Sequence, residues 1–183
     1  MKVAEIPFED DAFKQCVLDT KAENAEEVTR LICRKKQIKS LAGIEYLTAL
    51  RVLDVTRNQL TRLHLSKNTQ LTDLFAGNNE ISELDISNCT QLETLELFTN
   101  NLEVIDLSNN PMLEEFFASD NDLSSIRLSA NTELRKVRLS GNNISTLELP
   151  SPCMLQELEL KENPLPDALL AQLQALPDTQ VRL

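Results

Sequence analysis

Leucine recurs at Leu50, Leu71, Leu92, Leu113, Leu134 and Leu155, always 21 residues apart. Each opens the pattern Leu-x-x-Leu-x-Leu-x-x-Asn-x-Leu or a close apolar variant of it. A unit of that size cannot bury its apolar face alone, so such a sequence folds by stacking each unit on the next. The chain is therefore read as a repeat stack. A stack of this kind works through the side chains it displays, so its outward columns carry the functional argument.

The period runs through most of the 183 residues and predicts a single domain. Residues 1–27 are expected to cap the first turn, 28–163 to form about seven repeats, and 164–183 to cap the last. A hydrophobic content of 42% supplies a continuous core, while only three glycines leave little for a phosphate-cradling loop. No apolar run reaches membrane-spanning length, so membrane insertion is not expected. The start Met-Lys-Val-Ala-Glu-Ile-Pro lacks the apolar stretch of a secretory signal. That leaves a cytoplasmic protein if Met1 is the native start, or an exported one whose signal has been removed.

The net charge of −11 is unevenly spread. Val28 to Gln70 holds nine Lys and Arg against Glu45 and Asp54, a local balance of +7 that leaves −18 for the rest. Such a field orients a charged partner, although a solvated surface of mixed charge is the plainer reading. Nucleic acid is disfavoured, because the basic stretch has Tyr46 as its one aromatic and the remainder repels phosphate.

Asp10 to Leu18 reads as a short helix capped by Asp10 or Asp11, with Phe13, Cys16 and Val17 on one side. It suits a lid over the exposed end of the stack. The next turn is atypical, spaced 22 rather than 21, and Leu41, Ile44, Leu47 and Leu50 step in threes like a tight helical turn. From Leu50 onward each unit holds its motif twice, as in Leu53-x-Val55-x-x-Asn58 and Leu63-x-Leu65-x-x-Asn68. Both halves alternate with strand period. Two parallel sheets back to back are expected, with gentler curvature than a horseshoe backed by helices. Asn58, Asn79, Asn100, Asn121, Asn142 and Asn163 fall eight residues after each opening position and should bond the backbone where each strand turns away. After Pro164-Leu165-Pro166, Asp167 to Leu176 reads as the closing helix, and Thr179 to Leu183 as a short last strand.

The unit Leu71-Thr-Asp-Leu-Phe-Ala-Gly-Asn-Asn-Glu-Ile-Ser-Glu-Leu-Asp-Ile-Ser-Asn-Cys-Thr-Gln resembles the nested bacterial leucine-rich repeat class called IRREKO. The first turn resembles that of internalins. Ile6-Pro7, Ala12 to Cys16 and Val28 to Cys33 also resemble the N-terminal caps of exported bacterial repeat proteins. The resemblance implies an α/β repeat solenoid: a leucine-rich repeat stack with parallel sheets on both faces and helical caps at both ends. It further implies a bacterial, secreted or envelope-associated interaction protein, favouring an extracytoplasmic location, but no shared ligand or active residue. Pro150-Ser151-Pro152-Cys153 departs from the pattern at the last convex turn.

Cys16 on the core side of the capping helix and Cys33 facing inward from the first strand are placed for a bridge, or else serve as free small core residues. Cys89 and Cys153 lie three repeats apart, roughly 14 Å at the strand spacing, too far to pair. Cys89 stands where neighbouring units have Asn68, Asn110 and Asn131, as a structural substitute. No cysteine pair has zinc spacing.

On the first strand of each unit the third, fifth and seventh places point outward. Phe75, Phe98 and Phe117 occupy such places in three consecutive units and are predicted to be exposed as one patch about 10 Å long. Asp73, Glu96, Glu115 and Asp120 surround them as an acidic rim, with Arg34, Lys35 and Arg57 nearer the N-terminal end. An apolar centre with a charged rim is the layout of a protein-binding site. The bland alternative is that the rings merely stack on one another to support strand pairing. The expected partner is a protein or peptide with an apolar anchor and basic flanks, with self-association through the same patch as the rival. A third reading is the recognition module of a secreted effector or adhesin. On the opposite sheet His64, Asp85, Asp106, Arg127 and Glu148 share a column; a solvated charge column is expected there rather than a metal site. One histidine, no Gly-x-Ser-x-Gly and carboxylates on open faces argue against an enzyme, and no cofactor is expected.

Overall fold

A computed structural model describes residues 1–183, and the 21-residue period becomes a solenoid. Each unit contributes three residues to one long parallel sheet: β1 (Arg30–Ile32), β2 (Val52–Asp54), β4 (Asp73–Phe75), β6 (Thr94–Glu96), β7 (Glu115–Phe117), β9 (Lys136–Arg138) and β11 (Glu157–Glu159), closed by β12 (Gln180–Arg182). The register is in step throughout, Leu53 beside Leu74, Leu74 beside Leu95 and Leu95 beside Phe116. From β1 to β11 each strand of this sheet has its middle side chain buried, because alternation sends one residue of three inward, while Val181 of the closing β12 is half-buried. Forty-six buried apolar residues, from Val3 to Leu173, form one contiguous core.

Both ends are lidded as the sequence suggests. Helix α1 (Asp11–Leu18) buries Phe13, Cys16 and Val17. The Asp10 carboxylate accepts the N–H of Phe13 at 2.9 Å and, through its other oxygen, those of Lys39 at 2.8 Å and Ser40 at 3.3 Å. One side chain thus caps the helix and ties it to the first turn. Cys16 and Cys33 are joined by a disulfide, with Cα atoms 5.8 Å apart. At the far end α2 (Asp167–Gln174) buries Leu169 and Leu173, and β12 pairs with β11.

The six asparagines form the expected ladder with one fixed set of partners. Asn100 is representative: Nδ2 donates to Leu97 O in its own unit (2.9 Å) and Ala76 O in the preceding one (3.0 Å), while Oδ1 accepts Ile81 N–H (2.9 Å). Asn68, Asn110 and Asn131 form a second ladder on the convex side. There Nδ2 donates twice, as Asn110 does to Ile86 O (3.1 Å) and Cys89 O (2.9 Å), but each Oδ1 is buried without a partner. Cys89 fills one rung with its Sγ 3.6 Å from Leu65 O and 3.7 Å from Asn68 O, at the same offsets in sequence as the amides. Burial pushes its thiol up to about 11, so it stays a protonated donor.

The convex face also carries parallel sheet, as the alternation predicts, but in short pieces. It consists of two separate pairs, β3 (Arg62–His64) with β5 (Glu83–Asp85) and β8 (Ser125–Arg127) with β10 (Thr146–Glu148). Residues 104–106 lie between them without strand pairing to either side. Val104 is 75% exposed. A hollow of about 500 Å³ opens beside this segment, between Val104 and Thr146. The interrupted unit is also the one in which Glu103 stands where the others have Thr61, Ser82, Ser124 or Ser145.

Candidate partner-binding face

The parallel register places Phe75, Glu96 and Phe117 side by side on β4, β6 and β7. The Glu96 carboxylate therefore stands between rings carried by its two neighbouring strands. Phe98, two residues past Glu96, lays its ring over Gly77: a Cβ at Gly77 would meet Phe98 Cε1 at 2.5 Å and Cζ at 2.6 Å. Only glycine leaves room for that ring.

The three rings are half-buried rather than fully exposed, which corrects the expectation from alternation. Neighbours on the same face pack against two of them: Gly77 beneath Phe98, and the Arg138 guanidinium 4.9 Å from the centre of Phe117. None stacks on another, and the one ring pair in the chain is Phe8 with Phe13 in the cap, 5.5 Å apart and edge-on. Mutual ring stacking thus does not account for their position.

Most charges on this face are already matched. Asp54 is 1% exposed, bonded to the Arg34 guanidinium and accepting the N–H of Thr56 at 3.1 Å. Lys136 reaches Glu115 at 2.7 Å, Arg138 bridges Glu157 at 3.1 Å and Glu159 at 3.6 Å, and Arg182 meets Glu159 at 2.6 Å. Asp73 accepts the Thr72 hydroxyl at 2.7 Å. Of the expected rim, Glu115 is thereby neutralised, Asp120 stays exposed, and Glu96 has neither an ion pair nor a hydrogen bond. Burial pushes the Glu96 carboxyl above the usual glutamate range, helped by Asp54 and Glu115 and opposed by Arg34 and Arg138.

Two hollows meet at Glu96 and Phe98. The first, about 500 Å³, gathers Arg34, Lys35, Thr56, Arg57 and Asn78; the second, about 310 Å³, gathers Phe117, Ser119, Asp120 and Arg138. The predicted basic residues thus come together, whereas Asp73, Phe75 and Glu115 line neither hollow. The Asp54–Arg34 pair is a contact alternation alone does not reveal; its signal is that Arg34 lies two residues beyond Ile32, the residue in register with Asp54. Along the edge where each strand turns away, Lys35, Arg57, Asn78, Thr99, Asp120, Gly141 and Glu162 share left-handed backbone with φ between 54° and 68°. That column passes from basic through neutral to acidic. On the convex side Arg127 pairs with Glu148 at 2.9 Å, and Asp85 is held below the usual aspartate range by hydrogen bonds from Ser87.

Residues 133–155 match the family model described as Leucine Rich Repeat. The fold is a leucine-rich repeat stack. Among solved structures, the functional domain of InlJ from Listeria monocytogenes, described as including a cysteine ladder, is 27% identical. It superposes with a TM-score of 0.75 over 100% of this chain, which spans 48% of that one. Internalin C2 from Listeria monocytogenes, at 22% identity, shares the fold with a TM-score of 0.68 over 100% of this chain and 96% of its own. A chain of the LRIM1/APL1C complex is 27% identical, with a TM-score of 0.72 over 85% of this chain and 30% of that one. This leucine-rich repeat stack is therefore internalin-like in architecture. No curated protein sequence matches it.

Proposed function

We propose that the concave sheet of this leucine-rich repeat stack is a non-catalytic docking face for a protein or peptide, centred on Phe75, Phe98 and Phe117. The observation that carries the reading is the set of three half-buried rings that pack on no other ring and frame an unpaired carboxylate. Unsatisfied apolar and charged surface in one place is what an interface core offers a partner. Arg57 and Lys35 at one end, and Asp120 at the other, give the partner a direction along the stack. Leucine-rich repeat stacks commonly serve as interaction scaffolds, and the LRIM1/APL1C assembly is itself a complex. The Cys16–Cys33 disulfide favours an oxidising, extracytoplasmic setting, in keeping with a secreted bacterial protein.

The test is selection of peptides from a display library against the wild type, with counter-selection on Phe75→Ser/Phe98→Ser/Phe117→Ser. Enrichment of sequences that lose binding to the triple variant supports the assignment; ligands that bind both proteins equally overturn it.

The basic-to-acidic column from Lys35 to Glu162 favours one second reading, antiparallel self-association in which each copy's basic end meets the other's acidic end. Light scattering decides it: a wild-type dimer that becomes a folded monomer in the triple variant assigns the patch to assembly, and a wild-type monomer removes this reading.

A further inference from the structure

Six acids sit on the concave strands: Asp54, Asp73, Glu96, Glu115, Glu157 and Glu159. Five have a partner within the chain, a cation in every case except Asp73, which takes the Thr72 hydroxyl. Glu96 has none. The two guanidinium groups whose fields reach it are engaged elsewhere, Arg34 by Asp54 and Arg138 by Glu157 and Glu159. A half-buried carboxylate between two phenylalanine rings gives up part of its hydration with no ion pair of its own, a cost that an arriving cation offsets.

We infer that Glu96, framed by Phe75 and Phe117 on the adjacent strands and by Phe98 beyond it, receives the side chain of a lysine or arginine supplied by the partner. The inference rests on the reading of the concave sheet as a docking face and names the residue type at its centre. Ring faces attract cations and carry their aliphatic stems, and a carboxylate at the centre fixes the head group. The chain already makes one such contact within itself, with the Arg138 guanidinium 4.9 Å over Phe117. The route in runs through the hollow of Phe117, Ser119 and the exposed Asp120, where Arg138 is already engaged by Glu157 and Glu159, and not through the one lined by Arg34, Lys35 and Arg57, which repels a cation. Lysine and arginine unite the apolar anchor and the basic charge in one side chain, so a single residue satisfies rings and carboxylate together. The raised titration range of Glu96 agrees, because a bound cation relieves the repulsion from Asp54 and Glu115 that helps to raise it.

The experiment is an NMR titration of the labelled full chain with three capped tripeptides, acetyl-Gly-X-Gly-amide, where X is lysine, arginine or norleucine. Wild type and Glu96→Gln are compared at pH 7. The expected result is a millimolar affinity for the lysine and arginine peptides, with shifts confined to the neighbourhood of residues 75, 96–98 and 117. That affinity should fall about tenfold in Glu96→Gln and for the norleucine peptide. Glutamine keeps the shape and removes the charge, and a superimposable wild-type spectrum outside the site certifies the fold. Equal binding of norleucine, or undiminished lysine binding by Glu96→Gln, overturns the cation role and leaves the docking face standing. Absence of concave shifts with all three peptides overturns the cation role as well, and peptide selection then judges the docking face independently.

Discussion

Asn100→Ala and Asn110→Ala remove the same amide from two buried rungs, yet the structure predicts unequal costs. At Asn100 three hydrogen bonds are lost, but Ala76 O still accepts from Asn79 at 3.0 Å and Leu97 O from Asn121 at 3.0 Å. The Ile81 N–H has no other acceptor and is left bare on a fully buried residue. An orphaned buried donor costs about 1–3 kcal/mol, and the space vacated by the amide adds to it. For a chain of this length about 2–3 kcal/mol lowers the melting temperature by roughly 5–10 °C. At Asn110 the two carbonyls released keep backbone donors, Ile86 O from Cys89 at 2.9 Å and Cys89 O from Leu92 at 3.2 Å. The Asn110 Oδ1 accepts from no donor of the chain, so its removal orphans no N–H. The hydrogen-bonding cost is therefore about 1 kcal/mol or less, the vacated space being common to both variants. Circular-dichroism melts of the two variants beside wild type measure the difference, and amide exchange at Ile81 reports the orphan directly. Equal losses, or a larger loss in Asn110→Ala, would refute the accounting.

Asp10→Ala should lower the melting temperature by several degrees at pH 7, because one carboxylate serves three N–H groups. Burial opposes the charge of Asp10, but the N–H groups of Lys39, Phe13 and Ser40 outweigh it and hold the group below the usual aspartate range. Its contribution is therefore complete above the ordinary aspartate value and fades as pH falls through the lowered one; the gap between wild type and Asp10→Ala should narrow steadily in melts at pH values further and further below the ordinary aspartate one. Glu96→Gln should melt at or above the wild-type temperature at pH 7: a carboxyl raised by folding favours the native state only below its unfolded value, and that contribution is lost as pH rises through the folded one. A clear loss of stability at neutral pH would contradict the account of Glu96. Gly77→Ala should push the Phe98 ring out of its seat and shift Phe98 resonances in methyl and aromatic spectra, while far-ultraviolet circular dichroism stays unchanged. Cys16→Ser/Cys33→Ser should cost about 3 kcal/mol by freeing a short loop, seen as a lower melting temperature, and mass analysis of the wild type should show two thiols rather than four.

The concave sheet is legible in the sequence because identical spacing forces identical geometry. Leu53, Leu74 and Leu95 are 21 residues apart and thus adjacent in register, and the asparagine rungs follow from the same offset. The capping helix is legible from Asp10 and the spacing of Phe13, Cys16 and Val17. Residues 104–106 are another matter. Ile105-Asp106-Leu107 keeps the alternation of the other units, but Val104 stands where the paired segments have Arg62, Glu83, Ser125 or Thr146, and alternation alone does not record whether backbone dihedrals permit a ladder. The direction of the three phenylalanines is likewise readable, but the seat of Phe98 depends on Gly77 and that of Phe117 on Arg138, which belong to neighbouring units. Pairing of Arg34 with Asp54 is a diagonal contact, so it appears only once the register of β1 and β2 is known.

The break in the convex sheet falls on the repeat whose concave strand carries Glu96 and leads into Phe98. Eight strands run unbroken along one side of the solenoid, while on the other strand pairing stops at that unit and asparagine rungs carry across it, Asn110 to Ile86 O and Cys89 O and Asn131 to Leu107 O and Asn110 O. Directly behind the aromatic patch, consecutive turns are thus tied on the convex side through side-chain amides, where the pairs on either side of the break are tied through main-chain ladders as well.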